Sequence, residues 1–517
     1  MFENFINIIK QFRKIFNIKV ILNKTHSNLE NENKSLEEQQ LLWLDLKKRI
    51  FECGSLYVKF LQWYISKLKS NILDNENTVY TKNLLVFVSY FEDIFENCPF
   101  HSLEATKEIF SSENGMNGIK LEEYVAMDTL QELASGSIGQ VYVARRLSDG
   151  CMVAIKVKHP DIAQNLKEQI SFIKMLSYIQ TFNWIRRRYN LIFNIDDFLT
   201  DINQQCDFNN EANNNIKLKE NFKDSSDFLI FPEVYFQSKD VLISQYIPGK
   251  EFTSLSPVEQ NMTALNFVCF FYQMLLVDNF IHGDLHCKNW KVYIHNENDE
   301  LPKVKIVIYD TGICFSNSDI ELSRDFWFAI GKYDMKVLNT TLKKFIIKGT
   351  SGNNSITEEE LSLEIENMFS IILANSLGTG MFLKTIIKYC SNRNILIDKF
   401  LLNISITICL LEEFLRKTDM INRERNINNS IAMYDIIDEN ILDIIAFCKV
   451  KKCYPRVLEL FEKELNNKYI AYQVNLLENN IQETGKNNTA PILFNSLALS
   501  GLVMREPGSF ASDEIES

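Results

Sequence analysis

The segment His282–Asn289 reads HGDLHCKN, and twenty-one positions after Asn289 the chain reads Asp310-Thr311-Gly312. This ordered set, Asp284, then Asn289, then Asp310 at the end of an apolar run, constrains the fold more than any other feature. A phosphoryl-transfer site needs one carboxylate facing the attacking oxygen. It also needs an amide and a second carboxylate to hold the Mg²⁺ that neutralises a triphosphate. Asp284 is therefore assigned as the catalytic carboxylate, and Asn289 with Asp310 as the metal ligands. The competing reading makes Asp284 a loop cap that accepts backbone N–H bonds; its spacing to Asn289 and Asp310 favours catalysis. With no third ligand nearby, His282 is expected to pack against the strand of Asp310 rather than bind metal. Cys287 reads as a small loop residue.

The remaining parts of such a site lie upstream, in order. Leu130–Tyr142 reads LQELASGSIGQVY, so Ala134, Ser135, Gly136, Ser137, Gly139 and Val141 form a glycine-loop pattern with alanine at its first glycine. Small residues there let backbone amides approach phosphate oxygens without a Cβ in the way. Alone, such a turn is also what an ordinary hairpin looks like. Further on, GCMVAIKVKHP (Gly150–Pro160) places Lys156 in a VAIK context, where a lysine reaches the α- and β-phosphates. A lysine embedded in an apolar strand needs an anionic partner, and Glu211, on the polar helical stretch Ile195–Asn221, is assigned to it. The basic triplet Arg186–Arg188 reads as a helix C-terminus, where cations complement the dipole.

Between these landmarks, FLIFPEVYF (Phe228–Phe236) and DVLISQYIPG (Asp240–Gly249) read as strands, the second leading into a hinge at Tyr246–Gly249. Met262–Val277 reads as an apolar helix, and KVKIVIYD (Lys303–Asp310) as the strand that delivers Asp310. The order predicts an α+β, two-lobed protein-kinase-like fold. Its small lobe has an antiparallel sheet with inserted helices; its large lobe is mainly helical.

With these motifs in hand, the chain resembles the UbiB/ADCK group of atypical kinases over roughly Phe51–Asp419. SIGQVYVAR (Ser137–Arg145) and VAIKVKHPDI (Val153–Ile162) look like that group's alanine-rich loop and lysine strand. Asp207-Phe208-x-x-Glu211-Ala212-x-Asn214 is similar to its D-F-x-x-E-A-x-N helix. Lys59-Phe60-Leu61-Gln62 stands where the group carries K-x-G-Q, and Lys59 and Gln62 share a helix face. LLEEFLRKTD (Leu410–Asp419) looks like a late helix of the group, and the DTG and HGDLH spellings resemble its divergent eukaryotic branch. The resemblance implies auxiliary roles for Lys59, Gln62 and Asp207, and room for inserted helices between Lys156 and Glu211.

The departures are specific. The group's glutamate two positions before Asp207 is Gln205 here, which removes a negative charge. Leu61 replaces the glycine of K-x-G-Q, so a branched side chain is expected where the group keeps clearance. Thr311 replaces the aromatic of D-F-G and leaves the metal-binding carboxylate in place.

Length and composition fit one large globular unit: 517 residues, of which 46% are hydrophobic. A net charge of −12 and a pI near 5.3 argue against nucleic acid as a partner. Eleven scattered cysteines without a C-x-x-C pair favour reduced thiols, in a cytoplasmic or mitochondrial setting. No run reaches the ~18 apolar residues of a membrane-spanning helix. The first 24 residues carry Lys10, Arg13, Lys14, Lys19 and Lys24 against the single Glu3, with Phe and Ile at helical spacing. Such a helix fits peripheral contact with an anionic membrane or a mitochondrial targeting segment, and equally a helix packed on the protein body. The expected organisation is an amphipathic helix and linker (1–36, with Thr25–Leu36 as the linker) and a helical extension bearing Lys59 and Gln62 (37–120). A small lobe (121–250), a large lobe (251–477) and a disordered acidic tail (478–517) follow. Within these, Ser35–Ser70 and Thr81–Asn97 read as helices, and Ile320–Leu477 as helical apart from a loop at Gly349–Asn354.

These readings converge on ATP and Mg²⁺ as cofactors of a kinase-like phosphotransferase or ATPase. The resemblance implies that the Lys59/Gln62 helix covers the site where an ordinary kinase admits a peptide, which points to a lipid-linked small molecule, and it implies involvement in quinone metabolism. Two alternatives stay open. HGDLH-x-x-N is also the catalytic loop of aminoglycoside- and choline-kinase-type enzymes, which lack the Lys59–Gln62 helix and the D-F-x-x-E-A-x-N block. A non-catalytic nucleotide-binding scaffold is the other, favoured by Gln205 and Leu61.

Overall fold

In the computed structural model of the chain, the β-branched run around Lys156 lies at the centre of a five-stranded antiparallel sheet. The structure describes residues 2–29, 36–72, 79–91, 94, 97–160, 162–177, 195–295, 303–332, 334–347, 396–415 and 452–464, with short pieces between 359 and 390 and at 448–449. Arg186–Arg188, Gly349–Asn354 and residues 478–517 lie outside these. The upper strands are β1 (Val125–Ser135), β2 (Gly139–Arg146) and β3 (Met152–Lys158). Beyond β4 (Leu229–Ile230) come β5 (Val234–Gln237) and β6 (Val241–Gln245), and the sheet order is β1-β2-β3-β6-β5. Alternation decides which face of β3 is buried. Val153, Ile155 and Val157 are inaccessible and pack with Val241, Ile243 and Phe110, which leaves Lys156 on the opposite face.

The stretch Phe228–Phe236, read as one strand, is two. Pro232 falls between them. Leu229 and Ile230 pair in parallel with the large-lobe strand β9 (Lys303–Ile308), while Val234–Gln237 joins the upper sheet. This segment therefore links the two lobes.

Among the described residues six helices precede the sheet, the first four being α1 (Phe2–Leu29), α2 (Leu36–Cys53), α3 (Ser55–Ile72) and α4 (Val79–Phe91). The expected linker from Thr25 is helical up to Leu29, because Ile21, Thr25 and Leu29 recur at four-residue spacing and are all buried. Ile21 and Leu29 share a core with Trp43, Leu46, Phe87 and Phe91, so this half of α1 packs on the protein body. The expected helix Ser35–Ser70 breaks at Gly54, whose φ of +103° suits glycine. Gly54 N–H closes α2 on the Ile50 and Phe51 carbonyls, and α3 starts at once. Gln169, on α7 (Ile162–Ser177; α5, Leu103–Ser111, and α6, Leu121–Tyr124, precede it), clamps the break. Its amide donates to the Cys53 carbonyl at 2.9 Å and accepts from Leu56 N–H at 3.3 Å, fixing α3 to the small lobe.

The stretch expected to carry Glu211 as one helix is also two, α8 (Ile195–Gln205) and α9 (Phe208–Asn221). Asp207 sits at the junction with extended dihedrals and accepts from Asn209 N–H at 3.1 Å, a helix N-cap.

The large lobe is organised by α10 (Pro257–Tyr272), which starts earlier than the apolar pattern indicates. Ser256 and Glu259 form a reciprocal capping box with Pro257 in the first turn. Phe267, Phe270, Phe271 and Tyr272 are all buried, so α10 is packed on every side. Its end passes into a π-helical turn, Gln273–Asp278, and stops at Asn279, whose φ of +48° reverses the chain. Arg324 donates to the Leu276 carbonyl at 2.6 Å, satisfying one group freed by that turn. The reversal delivers β7 (Ile281–His282), then β8 (Trp290–His295), β9 and β10 (Cys314–Phe315). β7 pairs with β10 and β8 with β9, all antiparallel, so the catalytic-loop residues and Asp310 end up side by side. Behind them lie α11 (Ile320–Lys332), α12 (Met335–Phe345), the β11/β12 pair (Ile346–Ile347, Leu396–Ile397), α13 (Lys399–Leu415) and α14 (Pro455–Glu464). Among the described residues no helix is long and apolar enough to cross a membrane.

Candidate active site

Lys156 projects from β3 into the cleft between the lobes. Its Nζ donates to both Glu211 oxygens, at 2.8 and 2.7 Å, and to Asp310 Oδ2 at 3.0 Å. It also lies 5.2 Å from the ring centre of Phe208, a cation–π distance. The neighbouring lysine on the strand, Lys158, pairs instead with Asp240 and the Lys239 carbonyl. Burial opposes the Lys156 charge, yet Asp310 and Glu211 outweigh it and hold its pKa above the ordinary lysine value. Glu211 is the strained member of the trio. Burial, then repulsion from Asp310, raises its pKa to about 7 despite Lys156. For Asp310 burial also works against ionisation, but Lys156 and Lys59 prevail and its pKa falls below the usual carboxylate range.

The lower wall is set by histidines. His282 Nε2 lies 2.5 Å from the Asp310 carbonyl oxygen, which only accepts, so that nitrogen carries the proton. Its Nδ1 then accepts from Asp284 N–H at 3.1 Å, and burial keeps the ring neutral by lowering its pKa. One buried imidazole thus fixes the loop of Asp284 to the strand end of Asp310. Asn289 donates from Nδ2 to the Asp284 carbonyl at 2.7 Å, and among the described residues no donor is bonded to its Oδ1, a hard ligand atom. His286 Nε2 lies 3.7 Å from Asp284 Oδ2.

Thr311 occupies the aromatic position of the loop differently from a mobile side chain. It is buried, its hydroxyl donates to the Glu211 carbonyl at 2.8 Å, and its own carbonyl accepts from Asn214 Nδ2 at 2.9 Å. Two hydrogen bonds therefore tie the Asp310 loop to α9. Nothing in the sequence spacing announced this link.

These groups surround a cavity of about 70 Å³. Lys156, Glu211, Asp284, Asn289 and Asp310 line it from below and behind, Gly136, Ser137 and Gly139 from above, and Lys59 and Gln62 from α3. Ile138, Gln205, Phe208, His286 and Gly312 complete the wall. Four site residues read from the sequence do not line it. Ala134 and Val141 face each other across β1 and β2, and Ser135 is buried with its hydroxyl on the Pro99 carbonyl. Asp207 is the α9 cap described above. Leu61 is buried in the N-terminal helical core with Trp43 and Phe87, so its branched side chain is absorbed there and does not enter the cavity as expected. Gly139 has a packing reason as well: a Cβ there would lie 2.6 Å from the Val157 carbonyl oxygen. Among the described residues no group of three His, Cys, Asp or Glu side chains forms a metal cage. A carboxylate and an amide oxygen facing one cavity nonetheless suit a hard cation that completes its shell with water and phosphate, as Mg²⁺ does.

Residues 93–342 match the family model of the ABC1 atypical kinase-like domain. Just under half of the chain therefore carries an ABC1 atypical kinase-like domain, in agreement with its resemblance to the UbiB/ADCK group. It is 30% identical over 271 residues to a probable serine/threonine-protein kinase, abkC, of Dictyostelium discoideum, covering 51% of this chain and 36% of that protein. It is 26% identical over 340 residues to an ABC1 family protein, the MCP2 homolog of Schizosaccharomyces pombe, covering 63% of this chain and 57% of that protein. The chain thus spans between about a third and just over half of the length of these two relatives. Among solved structures, Rv3197 of Mycobacterium tuberculosis with erythromycin matches at 16% identity and a TM-score of 0.42, over 66% of this chain and 83% of that one.

Proposed function

We propose that this kinase-like protein binds ATP with Mg²⁺ and transfers or hydrolyses the γ-phosphate. The observation that carries the reading is the meeting of Lys156, held by Glu211, with Asp284, Asn289 and Asp310 around one cavity roofed by the Gly136–Gly139 loop. In this reading Lys156 binds α/β-phosphate oxygens, and its contact with Asp310 gives way as that carboxylate and Asn289 Oδ1 hold the ion. Bound there, Mg²⁺ would neutralise charge on the phosphates. Asp284, its backbone pinned by His282, accepts the proton of the attacking hydroxyl or water.

The volume supports phosphate rather than base as the cavity's occupant. About 70 Å³ holds roughly five waters, whereas pockets for whole small ligands run to about 300–1,000 Å³. The base and sugar therefore sit outside this space, or α3 withdraws to admit them. For the acceptor we propose a small or lipid-linked compound rather than a peptide, because Lys59 and Gln62 of α3 occupy one wall of the cavity.

The test is calorimetric titration of Mg·ATP together with phosphate release. Asp310→Asn is expected to lose Mg²⁺-dependent ATP binding. Asp284→Ala is expected to bind Mg·ATP like wild type and lose turnover by a factor of about 10² or more. Binding without turnover in both wild type and Asp284→Ala would favour a nucleotide-binding scaffold.

A further inference from the structure

The carbonyl groups of the loop joining β1 and β2 are gripped by one residue, His159, just beyond β3. Its Nε2 lies 2.9 Å from the Gly136 oxygen, and its backbone N–H donates to the Ile138 oxygen at 2.9 Å. The described peptide bonds are trans, and a trans peptide holds its C=O and the following N–H on opposite sides. Pinning the Gly136 oxygen on His159 therefore turns Ser137 N–H the other way. Ser137 lines the cavity, and no described acceptor takes that N–H.

The ring is held in the state this requires. The Gly136 carbonyl only accepts, so Nε2 is protonated, and in the neutral ring Nδ1 is an acceptor. His101 Nδ1, 2.7 Å away, must donate to it, which leaves His101 Nε2 to accept from the Thr106 hydroxyl at 2.9 Å. Thr106 in turn accepts from Tyr142 OH at 2.7 Å, and Tyr142 accepts from Gln140 Nε2. Gln140 Oε1 accepts from His101 N–H at 3.0 Å, closing the circuit. With both rings neutral the circuit runs in one direction, the Thr106 hydroxyl lying closer to His101 Nε2 than to its other acceptor, the Ser102 carbonyl at 3.4 Å, and two of the members, Gln140 and Tyr142, stand on β2 immediately after the loop. Burial lowers the pKa of both imidazoles and so favours the neutral rings.

We propose that His159 is a positioning residue for anion binding: it orients the Gly136–Ser137 peptide so that Ser137 N–H meets a phosphate oxygen, with His101 fixing the tautomer that does so. This rests on the nucleotide reading above. The test titrates Mg·ATP and adenosine into wild type, His159→Leu and His159→Gln, whose amide keeps an N–H donor, and records melting without ligand. His159→Leu is expected to weaken Mg·ATP about tenfold or more, the range of one hydrogen bond to a charged group. Adenosine affinity should stay within about twofold, and His159→Gln should recover most of the loss. Wild-type affinity in His159→Leu, or an equal loss for adenosine, overturns the proposal. Wild type that binds no Mg·ATP overturns the nucleotide reading and this inference together. Should His159→Leu fail to fold, the imidazole nitrogen resonances of wild type decide: a bare Nε2 on His159 overturns the assignment, and a protonated one supports it.

Discussion

Glu211→Gln separates what the site costs from what it does. The Glu211 side chain is only 4% exposed, and its pKa is raised from 4.5 to about 7. At about 1.4 kcal/mol per pKa unit, keeping it charged costs up to about 3 kcal/mol relative to the unfolded chain. The sign follows from the raised value. The carboxyl's favourable state is the protonated one, present below about pH 4.5, and stability is lost as pH rises through about 7. Glutamine imitates the protonated shape, and Lys156 keeps Asp310 as a partner. The variant is therefore expected to melt a few degrees above wild type at pH 8. That advantage should shrink between pH 7 and 5 and vanish near 4.5. Mg·ATP affinity should fall in the same protein, since Lys156 loses the partner that aims it. Thermal unfolding of both proteins across pH 4.5–8.5 reads the difference directly. If Glu211→Gln melts below wild type at pH 8, the Lys156–Glu211 pair is a net stabiliser and the argument fails.

Other perturbations test the supporting structure. Gly54→Ala places a Cβ 2.5 Å from Gln169 Nε2 at a φ of +103°. It should cost about 1–2 kcal/mol in denaturant unfolding, whereas an equally stable variant would show that the α2/α3 joint is slack. The His101–His159 pair predicts loss of stability in acid. Their folded pKa values lie below the ordinary 6.5, His101 at about 4. Their contribution is therefore present above about pH 6.5 and declines as pH falls toward 4, by at most about 1.4 kcal/mol per pH unit for each ring. A His101→Phe/His159→Leu double variant should flatten that slope, and an unchanged slope would assign the acid loss to other groups.

The residues that meet around the cavity were legible because their types and order follow the pattern that a triphosphate and a divalent ion would require. Lys156, Glu211, Asp284, Asn289 and Asp310 could be read without knowing how they pack. Element boundaries were less legible where a single residue decides. Gly54 sits in a helical pattern and reveals its break only through the Gln169 side chain more than a hundred positions away. Asp207, to which the resemblance gives an auxiliary role, is a helix cap in the structure, and only the extended backbone at that point reveals it. Leu61 shows the limit of reading a motif residue by residue. Its neighbours on α3, two positions before and one after, face the cavity, but a helix turns about 100° per residue, and the substituted position faces Trp43 and Phe87. The His101–His159 circuit was invisible for a different cause: its members come from four separate segments, and no spacing rule connects them.

The altered auxiliary residues bear on one another through charge. Around the cavity stand two cations, Lys59 and Lys156, and three carboxylates, Glu211, Asp284 and Asp310. A glutamate at position 205, which the resemblance to the UbiB/ADCK group implies, would add a fourth carboxylate to a wall that, on the proposed function, also accepts a polyanion. With Gln205 there, Lys59 is left to act on Asp310 and Glu211, and its charge favours the ionised form of both. On the proposed function, the substitution would lessen the repulsion that a triphosphate meets and leave the α3 lysine to the two carboxylates that flank Lys156. Loss of an acidic signature residue and retention of anion binding are, on this geometry, compatible. Thr311 works in the same direction, because its two hydrogen bonds to α9 keep Glu211 and Asp310 on either side of Lys156 without the bulk of an aromatic switch.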